Sequence, residues 1–492
     1  MSFLRNELSQ WRAAPARELM AGAVATFALI PEVIAFAAVA GVDPQVGLFA
    51  SFVIGIVIAF CGGRPAMISA AAGSVALVAA PLVAAHGLPY LLAAGVLAGL
   101  LQVVFGLLRL GVLMRFVSSS VRTGFVNALA ILIFSAQLPH VLGANIASWA
   151  MLALGVALIY GLPRLRLPGL SAIPSPLLCV GVLTLAAVWL DLPVKTVADL
   201  GKLPDSLPHP QWPGVPLTLE TLRIIALPAL AIAMVGLLES MMTARVVDEL
   251  TDTPSDKNRE CTGLGIANVA ASFFGGIAGC GMIGQTVGNV KYGGRSRLST
   301  LFAGVLLLVL MVLLRPWVAQ VPVVALVAVM VMVSVETFDW RSLRQLVRHP
   351  RTSSAVMLAT VGVTLATHNL AAGVGIGVLL SGVFFAFKVA GLMRVEGAVV
   401  DGVQVWKVSG QVFFASADAF LDAFDPREVP GQRVRIDVSR AHFWDITAAA
   451  ALDQAIQRLR HHGLEVSLVG LDPHSRRLLS RVGAAEGYDP AL

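Results

Sequence analysis

Two carboxylates stand inside apolar runs of this 492-residue chain. Glu32 follows Pro31 in ALIPEVIAFAAVAG, and Glu239 lies in AMVGLLESMMTARVVDELT. A carboxylate at mid-membrane is costly unless it lines a polar cavity, pairs with another group or carries a proton. Each is therefore a candidate proton carrier. The alternative is a protonated carboxyl that hydrogen-bonds a neighbouring helix. Phe36 comes one helical turn after Glu32 and shares its face, so it either walls a site there or packs. Asp248 and Glu249 lie beyond Arg245 and read as interfacial, as does His368. Asn127 and Gln137 read as polar links between helices.

The second chemical signal is glycine. Phe273–Thr286, FFGGIAGCGMIGQT, holds five glycines and no charged side chain within an apolar run. Glycine this dense is costly inside a helix, so a break near Gly279–Gly281 and a short restarted helix are expected. A helix that restarts within a membrane offers free backbone N–H groups and a positive dipole end, an anion site made without cations. Phe60–Ser74, FCGGRPAMISAAAGS, answers it with the same aromatic-x-Gly-Gly opening and a run of small residues. Two interrupted segments at matching places point to a transporter's binding site, although close packing on small residues would also use such stretches. Asn268 and Asn289 flank the later stretch and are expected to brace it.

These residues need a membrane scaffold to hold them. The composition, 57% hydrophobic and 13% charged, is that of a polytopic helical membrane protein. The formal charge of +6 does not signal nucleic acid, because the basic residues lie between apolar runs. Cys61, Cys179, Cys261 and Cys280 form no CxxC or Cys/His cluster, so no disulfide framework, metal or cofactor is expected. The amphipathic start MSFLRNELSQWRAAPARELM leads straight into a span, and no cleavable signal peptide is expected. Spans read as Leu19–Ala38, then roughly 45–61, 69–85, 90–108, 123–139, 146–162 and 175–190. After a proline-rich linker, Asp191–Thr221, they resume at roughly 222–245, 260–277, 281–291, 298–314, 321–337, 354–368 and 371–390.

Charge orients the spans. Arg5, Arg12 and Arg17 place the N-terminus in the cytoplasm, and the internal loops then receive Arg64, Arg109, Arg115, Arg122, Arg164, Arg166, Arg245, Lys257, Arg259, Lys291, Arg295, Arg297, Arg341, Arg344, Arg348, Arg351, Lys388 and Arg394. External loops receive only Lys195, Lys202, Arg223 and Arg315. Seven segments per half is an odd number, so the second half enters from the opposite side and the halves form an inverted repeat. The expected organisation is a cytoplasmic segment over 1–17, a transport domain over 18–394 with halves at about 18–190 and 222–394, and a cytoplasmic α/β domain over 395–492. In that last part Val403–Val408 alternates. GQVFFASADAFLDAF reads as strand then helix, Val434–Val438 and Val466–Leu471 as strands, and Thr447–Arg460 and Ser475–Val482 as helices.

GAVATFALIPEVIAFAAVAGVDPQVGLFAS, VGLLESMMTARVVDELT with NRECTGLGIANVAASFFGG and GMIGQTVGN, and GQVFFASAD with VRIDVSRAHFWDITAAAALDQAI together resemble the sulfate permease (SulP) family, the solute-carrier group that includes pendrin and prestin. The resemblance covers nearly the whole chain and implies fourteen segments in a 7+7 inverted repeat. Spans 1–4 and 8–11 form a core domain, spans 5–7 and 12–14 a gate domain, and a STAS domain follows. It implies an anion held between facing half-helix N-termini in spans 3 and 10, a prokaryotic member in the bacterial inner membrane, and a homodimer. By position, the backbone of Ala71, Ala72 and Gly73 and of Met282 and Ile283, beside Gly281, would face the anion, and Glu239 with Thr243 would occupy the cation-coupling place. Glu32 stands where the family usually has Gln, Gln285 where Arg is frequent, and Ile446 where bacterial anti-sigma antagonists carry a phosphoacceptor serine, with Thr447 adjacent.

The first two departures make the site more negative, and protonation of Glu32 or Glu239 would offset this. The expected function is proton-coupled symport of a small anion, with a C4-dicarboxylate such as fumarate favoured over other family substrates. Sodium-coupled bicarbonate or sulfate transport and an uncoupled anion channel are the alternatives. An enzyme is not expected, since no nucleophile–base pair or metal cluster stands at membrane depth. Deleting residues from about 400 onward should lower yield or rate and leave uptake with the same substrate preference. A changed preference in a proteoliposome panel would place the site elsewhere.

Overall fold

The structure is a computed structural model and describes residues 11, 14–111, 117–165, 175–429 and 431–482. Arg5, Arg12, Arg115 and Arg166 of the charge pattern lie outside these residues. Apolar runs of membrane length become helices because lipid offers the backbone no hydrogen-bond partner. The first half holds α1 (Pro15–Ala40), α2 (Pro44–Cys61), α3 (Gly73–His86), α4 (Leu88–Leu107), α5 (Ser119–Val141), α6 (Ile146–Gly161) and α7 (Ser175–Trp189). The second holds α8 (Leu219–Thr251), α9 (Lys257–Phe273), α10 (Ile283–Lys291), α11 (Arg297–Leu313), α12 (Val323–Thr337), α13 (Arg351–Thr367) and α14 (Leu370–Ala390). Proline opens α1 and α2 within their first turns, where a missing N–H costs nothing. Gly41, at φ 73°, closes α1.

Packing sorts the helices into two groups. One forms around α2 and α9, with α1, α4, α8 and α11 against them; the other around α5 and α12, with α6, α7 and α13. The inverted repeat is visible where each half breaks. β1 (Ser69–Ala71) precedes α3, and β2 (Gly279–Gly281) precedes α10. The strands pair antiparallel, Ser69 with Gly281 and Ala71 with Gly279, so α3 and α10 leave the pair in opposite directions.

Three-residue strands cannot satisfy their own backbone, and side chains from the surrounding helices complete it. Asn268 of α9 accepts from the Gly279 N–H at 2.8 Å and donates to the Gly279 carbonyl at 3.2 Å. Ser240 Oγ accepts from the Gly281 N–H at 2.9 Å, and Ser51 Oγ accepts from the Ala71 N–H at 3.2 Å. Thr286 Oγ1 accepts from the Ile68 N–H at 2.9 Å. Asn289 braces the other side by donating to the Ala66 carbonyl at 2.9 Å.

Several expected boundaries move. The span expected at 69–85 is strand through Ala71 and helix only from Gly73, because the run of small residues supplies close contacts and no helical face of its own. The span expected at 260–277 ends at Phe273, where the Gly275–Gly276 pair follows and Gly275 adopts φ 75°. The expected loop holding Arg341, Arg344 and Arg348 contains a short helix, Trp340–Arg348, whose first turn is capped by Asp339.

The chain divides into two compact units at Val378 and Leu379. The second contains a four-stranded sheet of order β3-β4-β5-β6, with β3 (Arg394–Val400) antiparallel to β4 (Val403–Val412), and β5 (Arg433–Phe443) and β6 (Glu465–Val469) continuing it in parallel. The helices are α15 (Ala417–Asp422), α16 (Ile446–His461) and α17 (Pro473–Val482). β3 escaped the sequence reading because it is exposed along almost its whole length and shows no apolar alternation. Trp406, Phe420, Phe424 and Phe443 fill the core edge to face. Asp445 caps α16 by accepting from the Ala448 N–H at 2.8 Å and ties in the β4 end by accepting from the Phe414 N–H at 2.8 Å.

A Cβ at Gly279 would lie 2.0 Å from the Ala70 carbonyl oxygen, whereas one at Gly284 meets nothing within 4 Å. Gly279→Ala should destabilise the detergent-solubilised protein by roughly 2 kcal/mol or more, read as a lowered melting temperature, and Gly284→Ala should melt like the parent. Equal melting of both variants would show that the strand pair is not a stability determinant.

Candidate functional site

α3 and α10 begin at the strand pair without side-chain caps, since their N-cap residues are Ala72 and Met282. First-turn N–H groups and the positive dipole ends of both helices therefore stand at the interruption. A cavity of about 550 Å³ lies against them. Gly73 and Ser74 of α3 and Met282, Ile283, Gly284 and Gln285 at the start of α10 form one wall. Glu32 and Phe36 of α1 and Glu239 and Met242 of α8 form the next. Phe125, Leu129 and Ile133 of α5 and Met332 and Glu336 of α12 close the opposite side.

The two acids exchange partners across the repeat. Glu32, from the first half, accepts a hydrogen bond from the Gln285 side chain in the first turn of the second half's α10. Glu239, from the second half, accepts from Ser74 Oγ in the first turn of the first half's α3. Cys280 Sγ also donates to Glu239 at 3.0 Å. Glu32 is 8% exposed and Glu239 is 9% exposed, so the small remaining surface of each opens on the cavity. Phe36 lies across the start of α3, where a Cβ at Gly73 would come within 2.6 Å of its ring.

Glu32, Phe36, Gly73, Glu239, Met282, Ile283 and Gln285 thus meet around one space. Ala71, Ala72 and Gly281 do not reach it. Ala71 and Gly281 belong to the paired strands and Ala72 is fully buried, so the cavity wall starts one residue later on each helix. Thr243 also stands behind the wall, its hydroxyl donating to the carbonyls of Glu239 and Gly281, each at 2.9 Å. Sequence reasoning missed Ser74, Lys291 and Glu336 as lining residues. Glu336 shows the signal that marked Glu32, an acid in an apolar run, but lies in the run's last turn. Lys291 was counted as a loop charge, and only the brevity of α10 brings it to the cavity.

Charge in this space is unbalanced. Among the described residues, its lining holds three carboxylates, Glu32, Glu239 and Glu336, against one ammonium, Lys291. The two helix ends add roughly half a positive charge each. An anion about 6 Å from an ionised carboxylate meets a repulsion on the order of 3 kcal/mol at an effective dielectric of 20.

A cavity walled by discontinuous helices where two inverted halves meet is the arrangement of a secondary transporter. The chain belongs to the sulfate permease family, whose profile matches residues 16–164 and 145–360, and a STAS domain matches residues 394–488. It is 50% identical to YbaR of Bacillus subtilis (strain 168), a protein provisionally assigned as a sulfate transporter, over 96% of this chain and 98% of that one. It is 27% identical to the bicarbonate transporter BicA of Synechocystis sp. (strain PCC 6803), over 89% of this chain and 85% of BicA. It shares the fold of the murine Solute Carrier 26 family member A9 anion transporter in the inward-facing state, with a TM-score of 0.82, 18% identity, and coverage of 98% of this chain and 91% of that one. The protein is a multi-pass membrane protein of an anion-transporter family.

Gly73→Ala should push the Phe36 ring into the cavity and lower uptake by about tenfold or more with little loss of stability, since only a side-chain ring stands in the way. Pairing it with Phe36→Ala should restore part of the uptake. If the single variant transports normally in proteoliposomes, Phe36 does not bound the anion's space.

Proposed function

We propose that this protein moves a small oxyanion by proton-coupled symport through alternating access, with the anion seated between the first turns of α3 and α10. The observation that carries this reading is the cross-exchange of carboxylates. Each intramembrane acid is hydrogen-bonded to a first-turn side chain of the half-helix whose N-terminus would hold the anion. An ionised Glu32 or Glu239 competes with the anion for the same positive helix ends, and a proton on the acid removes that competition. Proton and anion therefore favour each other's binding by the same free energy.

The cavity's volume of about 550 Å³ admits bicarbonate, sulfate or a C4-dicarboxylate. The names carried by relatives favour sulfate or bicarbonate over the dicarboxylate expected from the sequence. Sodium coupling is the second reading, favoured by the oxygens of Glu239 and Ser74 on the cavity wall with the Thr243 hydroxyl just behind them. An uncoupled channel is the third. The same reading places both termini in the cytoplasm of a bacterial cell and the protein in the inner membrane as a homodimer.

The test is uptake of labelled sulfate, bicarbonate and fumarate into proteoliposomes under imposed pH or sodium gradients. Uptake should rise with external acidity without sodium, and a protonophore should abolish accumulation. Glu32→Gln and Glu239→Gln should retain anion exchange, and at least one should lose about tenfold in pH-driven accumulation, the response to removing one like charge from the site. Uptake that follows sodium and ignores pH would replace the proton with sodium, and current without a coupling ion would make the protein a channel.

A further inference from the structure

α10 ends in Lys291, whose exposed side chain lines the cavity. Among the described residues, no carboxylate lies within ion-pair distance of it. Two of the three basic residues at the neighbouring mouth are engaged: Arg245 pairs with Glu249 at 3.0 Å and Lys257 with Asp248 at 2.7 Å. That mouth is a hollow of about 700 Å³ that shares Val126 and Met242 with the cavity and also carries Arg122.

A lysine in a last helical turn is commonly accounted for by the helix dipole. Two features go further. Residues 284, 288 and 291 follow helical spacing and share one face of α10. Gly284 and Gly288 serve no close packing there, since a Cβ added at either meets nothing within 4 Å. The face is therefore bare from the helix start to Lys291, a length of about 12 Å at 1.5 Å per residue. A lysine side chain on a helix leans toward the N-terminus, along that bare face. Among the described residues, the other charged groups facing the space are Glu32 on α1, Glu239 on α8 and Glu336 on α12, while α5 contributes only apolar side chains.

We infer that Lys291 is the anion-recruiting residue of the cavity. It draws the anion in from the mouth and passes it along the glycine face of α10 to the helix N-terminus, and Glu336, across the cavity on α12, weakens its pull. The inference rests on the cavity being the transport path. It adds a fixed cation within the cavity to a site whose first turn on α10 carries only the neutral Gln285.

The test is the initial rate of labelled sulfate and bicarbonate uptake by the full chain in proteoliposomes at low ionic strength. Lys291→Gln should raise KM about tenfold with a smaller effect on maximal rate, Lys291→Arg should restore KM, and Glu336→Gln should lower it severalfold. Added salt should shrink the difference between parent and Lys291→Gln. Gly288→Leu, which obstructs the bare face in a helix that leucine suits, should slow uptake while melting like the parent. An unchanged KM in Lys291→Gln, with Glu32→Gln and Gly73→Ala still altering uptake, overturns the role of Lys291 and leaves the transport reading standing. A parent protein that carries no anion removes both.

Discussion

The structure depends on one constraint: a backbone interrupted between membrane-length helices must still find partners for the N–H and C=O groups of the break. The antiparallel pair of Ser69–Ala71 with Gly279–Gly281 meets it by letting each half of the chain complete the other. Three residues per strand would be marginal alone, so Ser51 of α2, Asn268 of α9 and Ser240 and Thr243 of α8 supply further bonds from three helices. Glycine at 279 is needed because the partner strand's carbonyl occupies the place of a Cβ. The repeat therefore serves a local need as well as a global symmetry.

Satisfying the strands leaves the two helix starts unsatisfied, and that residue of polarity is what the site offers. Ala72 and Met282 cannot cap, so positive potential faces the cavity. The carboxylates then decide what that potential is worth. In the proposed mechanism, ionised Glu32 and Glu239 would hold that potential on the protein's own groups, and a proton on either would free it for a ligand. Through Gln285 and Ser74, an acid of each half of the repeat meets the helix start of the other.

The C-terminal unit follows different physics. Its sheet and helices bury Trp406, Phe420, Phe424 and Phe443 in water-driven fashion, and Asp445 holds two strand and helix ends together. Ile446, 66% exposed at the first turn of α16, presents an apolar side chain where a hydroxyl would be needed for phosphorylation. Among the described residues, this unit carries none that line the cavity.

Membrane class, the helical halves, the interrupted segments and the intramembrane acids were legible in the sequence, because bilayer thickness and the cost of buried charge impose strong one-dimensional patterns. Glu32, Phe36, Glu239, Met282 and Gln285 were candidates on those grounds or by resemblance, and they do meet around one cavity. Short strands in the breaks were not legible, since three-residue pairing between positions 210 residues apart leaves no local period. Nor was the edge strand Arg394–Val400, whose exposed faces carry no alternation. Only the tertiary structure could separate Gly73, on the wall, from Ala71 and Ala72 behind it, because pairing register rather than residue type decides which backbone is already bonded. It alone turned Lys291 from a loop charge into a cavity cation, for α10 is short enough that both of its ends face the same space.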